Sequence, residues 1–265
     1  MKGIAVLWAV LLSGCAFHIS HPPEPFTEKA ITLVKSPLDV RLIPAPQESA
    51  RPTLVLFATG DGGWRSLDQE VFAQIGGQGY AVAGFSASRY LKAMSEVSDT
   101  TTPPKLAWDF ERIIQFAKVS MNLPPDTPII LVGISRGAGL MSVAAGQGAL
   151  RNQLAGIIAI GLGDVEEHVV RRRRGARRSE WVAEQTYRNL RRLTDFPIEI
   201  LQSTHDKYTT AAKARELLGT DTPLHHLHPI EAGSHTFRGA LPALLAQLKN
   251  SLRLLTPTAR AVKLP

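Results

Sequence analysis

The stretch Pro128-Ile129-Ile130-Leu131-Val132-Gly133-Ile134-Ser135-Arg136-Gly137-Ala138-Gly139 decides the fold of this chain. Its first half is continuously apolar, which is typical of a strand buried on both faces of a parallel sheet. The pattern G-x-S-x-G follows directly and continues into small residues that favour a helix. A serine in a strained turn between strand and helix needs small residues two positions before and after it, because larger side chains would clash. The stretch therefore predicts a nucleophile elbow that exposes Ser135 at the carboxyl edge of a sheet.

Segments typical of strands and helices alternate on both sides of this elbow. Further strands are predicted over residues 39–43, 53–58, 81–85, 157–160, 198–201 and 224–230. Helices are predicted from Ser66, over 106–119, from Arg136 and over 238–252. Apolar strands that alternate with helices favour a mostly parallel sheet covered on both faces. Together with the elbow, this order predicts an α/β-hydrolase fold with a small cap insertion.

A serine nucleophile requires a base and an acid that orients the base. In this fold they follow the serine in the order Asp or Glu, then His. His235 follows the last predicted strand and is the predicted base. Asp206 follows the strand at 198–201 and is the predicted acid, while Asp164, after the strand at 157–160, is the alternative acid. All of these residues follow strands, at the sheet edge where ligands bind in open α/β folds.

A glycine-rich loop, Gly60-Asp61-Gly62-Gly63-Trp64, follows the predicted strand at 53–58. Glycines allow a backbone to approach a substrate closely. We therefore predict an oxyanion hole formed by the N–H groups of Arg136 and Asp61, with Gly62 as the second candidate in the loop. No Gly-Lys-Ser/Thr follows the loop and no G-x-G-x-x-G opens a helix there, so a nucleotide site is not indicated.

Three histidines, His225, His226 and His228, fall within one predicted strand. Alternation places His226 and His228 on the same face, as in a pair of metal ligands. No cluster of carboxylates or cysteines accompanies them in the sequence, so we interpret them as ordinary strand histidines. Neither a metal nor a cofactor is predicted.

The N-terminal residues predict export and lipidation. An apolar run over 4–12 is too short for a membrane span but typical of a signal peptide. It ends in Leu12-Ser13-Gly14-Cys15, which resembles a lipobox, and Cys15 is the single cysteine among 265 residues. The predicted organisation is a signal peptide (1–15), a proline-rich tether (16–37), a hydrolase domain (38–255) and a tail (256–265). Ala16 after the cysteine favours the outer membrane over the inner one.

The chain is basic, with a net charge of +7, and its arginines concentrate in the predicted cap insertion at 164–192. Arginine pairs bidentately with phosphate, so we hypothesise that the cap contacts lipid phosphates through Arg171, Arg172, Arg173 and Arg174. The alternative is a solvated helix face. The expected partners are an anionic phospholipid surface and a lipid ester, and nucleic acid is not expected for an exported lipoprotein.

The loop at 60–64, Ser88-Arg89-Tyr90 and the elbow at 133–138 together resemble the VirJ/AcvB family of bacterial virulence-associated α/β hydrolases. The resemblance spans roughly residues 50–253, although Gly139 stands where the family often has an aspartate. It implies a periplasmic hydrolase with Ser135, Asp206 and His235 as its triad. It further implies that the substrate is aminoacylated phosphatidylglycerol. The alternatives are a carboxylesterase or lipase for another ester, and a non-catalytic adaptor of a secretion system.

Overall fold

The computed structural model describes residues 26–33, 36–46, 53–96, 102–171 and 180–257. The predicted signal peptide with Cys15 lies outside the described residues, as do Arg172, Arg173, Arg174 and the tail beyond residue 257. Arg171 is the last residue of a described strand. None of the helices in the described part of the chain combines the length and the hydropathy that a bilayer span requires.

An eight-stranded sheet forms the centre of the structure. Its strands, in spatial order, are β1 (Thr27–Leu33), β2 (Ser36–Ile43), β4 (Ala81–Phe85), β3 (Leu54–Ala58), β5 (Ile129–Ile134), β6 (Leu154–Ile160), β9 (Ile198–Ser203) and β10 (His225–Ile230). The six strands from β4 to β10 run parallel, and β2 and β1 continue the sheet antiparallel at one edge. The predicted fold class, a mostly parallel sheet of the α/β-hydrolase type, is confirmed.

Helices cover both faces of the sheet, as the apolar strands require. The helices are α1 (Ser66–Gly77), α2 (Ala87–Glu96), α3 (Pro103–Ser120), α4 (Arg136–Ala144), α5 (Gly148–Arg151), α6 (Thr186–Arg191), α7 (Ala211–Leu218) and α8 (Leu241–Leu255). Helices α1 and α8 pack on one face, and the other helices pack on the opposite face. Helices α2, α5 and α7 were not predicted from the sequence.

The predicted tether at 16–37 is wrong in its last part, because Thr27–Leu33 is a strand of the main sheet. This strand pairs antiparallel with β2, from Thr27 opposite Leu42 to Leu33 opposite Ser36. It lies at the sheet edge and only Leu33 is buried, so it needs few apolar residues. A mostly polar edge strand lacks the hydrophobic pattern from which strands are predicted. The folded domain therefore begins before the predicted residue 38.

The described part of the cap insertion folds as a hairpin followed by a short helix. Strands β7 (Val165–Arg171) and β8 (Glu180–Gln185) pair with each other and form a second, two-stranded sheet. Helix α6 then returns the chain to β9. This position places the cap insertion after β6, at the carboxyl edge of the main sheet.

Candidate active site

The turn between β5 and α4 is strained at Ser135, which has a φ of 52° and a ψ of −115°. Such positive φ values are rare for residues other than glycine and cluster at functional sites. A Cβ atom at Gly133 would overlap the backbone of Gly137, and one at Gly137 would overlap the backbone of Ala58. The two glycines are thus required by the close passage of three backbone segments, as the G-x-S-x-G pattern predicts.

The structure brings Ser135, His235 and Asp206 into one hydrogen-bonded chain. Nε2 of His235 lies 2.8 Å from Oγ of Ser135, and Nδ1 lies 2.6 Å from Oδ2 of Asp206. An ionised carboxylate only accepts hydrogen bonds, so this arrangement fits the tautomer in which Nδ1 carries the proton. Nε2 is then free to accept the hydrogen of the Ser135 hydroxyl. The arrangement can remove a proton from the serine and stabilise the imidazolium that results.

Asp206 is held by the loop that joins β9 to α7. Its side chain is buried and accepts hydrogen bonds from the backbone N–H of Tyr208 at 2.8 Å and the side-chain amide of Gln202 at 3.2 Å. Asp164, the alternative acid, is exposed, and no hydrogen bond joins it to His235. Its backbone N–H instead donates to the Thr209 hydroxyl at 3.2 Å. The structure therefore places Asp206, and not Asp164, against the imidazole.

The glycine-rich loop lies beside the serine, and Asp68 holds it there. The carboxylate of Asp68 accepts the N–H of Gly60 at 2.9 Å and that of Arg65 at 3.2 Å. A Cβ atom at Gly60 would lie 3.6 Å from Cβ of Ser135. Among the described residues, none accepts a hydrogen bond from the backbone N–H of Asp61 or of Arg136. Burial raises the pKa of Asp68, and its hydrogen bonds to the two backbone N–H groups oppose that rise.

The side chain of Arg136 joins the loop, the elbow and the cap. Its Nε atom contacts the Asp61 carboxylate without a hydrogen-bonding geometry, so that contact is electrostatic. Its Nη1 atom donates to Oε1 of Glu166 and to the carbonyl oxygen of Glu167, both at 3.1 Å. Sequence reasoning assigned a role only to the backbone of Arg136 and did not identify Glu166 or the loop-holding Asp68.

Glu166 belongs to the cap hairpin, and its side chain is buried against Gly139 of α4. Burial raises its pKa to about 8, although the neighbouring Arg136 opposes this and Asp61 and Glu167 reinforce it. The carboxyl group of Glu166 therefore titrates in the neutral range, next to the residue that follows the serine.

The VirJ family, described as a bacterial virulence protein, matches residues 52–173, which include the glycine-rich loop, residues 88–90 and the elbow. This segment has the VirJ pattern. The resemblance stated from those motifs is thereby confirmed. Asp206 and His235 follow the VirJ segment, so their assignment depends on the hydrogen bonds described above. No curated protein matches the chain.

Solved structures share the fold at low sequence identity. Est1E from Butyrivibrio proteoclasticus has a TM-score of 0.62 and 12% identity, covering 86% of this chain and 98% of its own. An α/β serine hydrolase without a lid from Xanthomonas campestris has a TM-score of 0.58 and 15% identity, with 89% and 98% coverage. The esterase domain of a Rhodothermus marinus protein has a TM-score of 0.56 and 16% identity, with 87% and 98% coverage. At these identities, the likeness establishes the α/β-hydrolase fold around the VirJ segment.

An aromatic side chain outside the VirJ segment borders the imidazole. The ring of Tyr208 packs edge-on against His235, with ring centroids 4.8 Å apart, and 63% of the residue is exposed. Lys207 places its ammonium group 4.7 Å from the Tyr208 ring centroid. Tyr208 thus forms part of the exposed wall next to the imidazole. Nothing in the sequence pattern distinguishes it from an ordinary loop residue.

Two of the three strand histidines, His226 and His228, are bound to a buried carboxylate away from this site, whereas Nε2 of His225 lies 2.8 Å from the Leu193 carbonyl oxygen. Oε1 of Glu199 lies 2.7 Å from Nδ1 of His226, and Oε2 lies 2.6 Å from Nε2 of His228. Ser251 of α8 donates to the same carboxylate at 2.9 Å. Within the described ranges, no group of three or more histidine, cysteine, aspartate or glutamate side chains is arranged to hold a metal ion. Sequence reasoning did not foresee Glu199 as their partner.

Proposed function

We propose that this protein is a serine esterase of the bacterial cell envelope. The observation that carries the proposal is the continuous hydrogen-bonded chain from Asp206 through His235 to Ser135. In the proposed reaction, Ser135 Oγ attacks the ester carbonyl while its proton moves to Nε2 of His235. The imidazolium then protonates the departing alcohol, and a water molecule activated by the same nitrogen hydrolyses the acyl-enzyme. Asp206 orients the imidazole and stabilises its charged form.

The proposed oxyanion hole consists of the backbone N–H groups of Arg136 and Asp61, with Gly62 as the alternative loop donor. The free N–H groups at these two positions and the closeness of Gly60 to Ser135 support this assignment. Donors held in place before the reaction stabilise the developing oxyanion without having to reorient, and this is usually the largest electrostatic contribution to acyl transfer.

The proposed substrate is the aminoacyl ester of aminoacylated phosphatidylglycerol, which the VirJ resemblance implies. The basic net charge of +7 supports an encounter with anionic phospholipid. The proposed location is the periplasm, with lipid attached at Cys15. Two or more acyl chains, at about 0.8 kcal/mol per buried methylene, suffice for stable anchoring.

A fluorophosphonate probe tests the esterase proposal directly, because it reacts covalently with an activated serine. We expect labelling of the wild-type protein and its loss in Ser135→Ala, with circular dichroism showing that both proteins are folded. A folded wild-type protein that is not labelled would contradict the esterase and favour the adaptor role in a secretion system.

Vesicles that contain lysyl-phosphatidylglycerol or alanyl-phosphatidylglycerol test the substrate separately. Release of the free amino acid, measured by chromatography, supports the proposed lipid substrate. Hydrolysis of p-nitrophenyl butyrate without release of either amino acid would support the proposed esterase activity but contradict the proposed lipid substrate. It would favour a carboxylesterase or lipase that acts on another ester.

A further inference from the structure

A cavity of about 420 Å³ lies between the cap insertion and α7. Three arginines line it, together with Asp164, Gln185 and Tyr187; the arginines are Arg188, Arg191 and Arg192. A volume of this size is within the range of small-molecule binding sites.

The three arginines lie on one side of α6 and its C-terminal end. Arg191 and Arg192 follow Arg188 by three and four residues, a spacing that places side chains next to each other on a helix. Like charges at this spacing repel and destabilise a helix when nothing neutralises them. A cation near a helix C-terminus offsets the dipole of that end, but one charge is enough for this. The arrangement thus has more positive charge than the helix requires.

No described carboxylate pairs with any of these three guanidinium groups. This distinguishes them from Arg136, Arg151 and Arg215, each of which forms a salt bridge with an aspartate or glutamate. Asp164 supplies the acidic side chain of the cavity lining, so the lining has a net positive charge.

Hydrogen bonds through Thr209 connect the wall of the cavity to the acid of the candidate active site. Thr209 accepts the N–H of Asp164, at the cavity wall, and donates its own N–H to Oδ1 of Asp206 at 3.4 Å. Tyr187, which lines the cavity, donates its hydroxyl to the Leu162 carbonyl at 3.2 Å. Burial raises the pKa of Tyr187, and the nearby carboxylates of Asp206 and Asp164 raise it further.

We propose that Arg188, Arg191 and Arg192 form a binding site for the phosphate group of a glycerol phosphate ester. Guanidinium groups bind phosphate oxygens through paired, charge-assisted hydrogen bonds, and several arginines on one cavity wall can donate to the oxygens of the same phosphate. The inference rests on the proposed function and deepens it, since it gives the esterase a phosphate-bearing substrate. It assigns phosphate recognition to described arginines of the cap insertion, whereas the hypothesis from the sequence assigned it to residues 171–174.

The binding test uses Ser135→Ala protein, so that no probe is consumed. Arg188→Gln with Arg191→Gln is compared with Lys249→Gln and Arg253→Gln on α8, which removes the same charge from the opposite face of the sheet. The probes are glycerol 3-phosphate, measured by calorimetry, and vesicles of phosphatidylglycerol or phosphatidylcholine, measured by flotation. We expect the double arginine substitution to weaken binding by about tenfold or more, and the double control substitution on α8 to weaken it by less than about twofold.

The two kinds of probe distinguish the sources of the phosphate. If the double arginine variant loses binding of glycerol 3-phosphate, the site is one for a soluble phosphate ester. If it loses only the binding of phosphatidylglycerol vesicles, the site is one for a lipid headgroup. Equal weakening in the arginine and control pairs would show only a general charge effect and would overturn the site. Failure of the parent protein to bind any of the phosphate probes would overturn it as well.

A second measurement separates this proposal from the proposed esterase function. With Ser135 intact, the ratio of kcat/KM for a glycerophosphate-bearing ester to that for p-nitrophenyl butyrate should fall about tenfold in the arginine pair and stay unchanged in the control pair. If neither ester is hydrolysed but the arginine pair still loses phosphate binding, the esterase proposal fails and the phosphate site stands. Thermal unfolding of each variant verifies that the cap insertion remains folded.

Discussion

Gly139 leaves the space that the carboxyl group of Glu166 occupies. A Cβ atom at Gly139 would overlap Oε2 of Glu166, which belongs to the cap hairpin, while Gly139 lies in the first turns of α4. The cap is therefore fitted directly onto the helix that begins at the elbow. Arg136, in the same helix, binds the other oxygen of this carboxyl group.

Gly139→Ala should displace Glu166 and loosen the cap from α4. Overpacking of a tight contact typically costs about 1–3 kcal/mol, and we expect a decrease of that size in the free energy of unfolding measured with urea. Gly77→Ala, at the end of α1 where an added Cβ meets nothing within 4 Å, is the matched control and should leave stability unchanged or raise it slightly. Equal effects at both positions would contradict the close contact.

The titration of Glu166 should make the stability of the protein depend on pH in the neutral range. Its folded pKa of about 8 lies above the ordinary value of 4.5, so the folded state binds this proton more tightly than the unfolded state. The resulting stabilisation is complete below pH 4.5 and is lost as the pH rises through about 8, by up to about 1.4 kcal/mol per pH unit. Glu166→Gln should flatten the decline between pH 5 and 8, and a curve that keeps its slope would contradict this assignment.

The two candidate acids should differ sharply in their effect on activity. Asp206→Asn removes the carboxylate that faces Nδ1 of His235 and should lower kcat by about 10³–10⁴. Asp164→Asn removes an exposed carboxylate that makes no contact with His235 and should change kcat by less than about threefold. Initial rates with p-nitrophenyl butyrate measure both variants. A larger loss from the Asp164 substitution would refute the assigned order of the triad.

Asp68 should affect catalysis through the glycine-rich loop. Asp68→Ala leaves the N–H of Gly60 without its acceptor, so the proposed oxyanion donor at Asp61 loses its position. Removal of one donor lowers kcat by about 10²–10³ in enzymes of this kind, and we expect a loss up to that size with little change in KM. Asp68→Asn keeps one acceptor oxygen and should restore part of kcat. Glu70→Ala, on the exposed side of α1, is the control.

The elbow could be predicted from twelve consecutive residues because its geometry is local. A buried strand, a serine with positive φ and a helix must follow one another within a few residues, and only small side chains fit around the turn. The same holds for the order of the apolar strands. The edge strand Thr27–Leu33 was not predicted because its side chains are mostly exposed and show no hydrophobic pattern. It is a strand because its backbone pairs with β2.

The pairings between distant residues could be assigned only in three dimensions. The sequence left Asp164 and Asp206 as competing acids, since both follow strands that end at the same edge. The choice depends on the 2.6 Å contact between Asp206 and His235, which are 29 residues apart in the sequence. Arg136 and Glu166, which also form a hydrogen bond, are 30 residues apart. Such contacts result from the way the loops pack after the sheet has formed, and local hydrophobic pattern carries no information about them. Chain-local sterics thus determined the position of the serine, and long-range packing determined which side chains surround it.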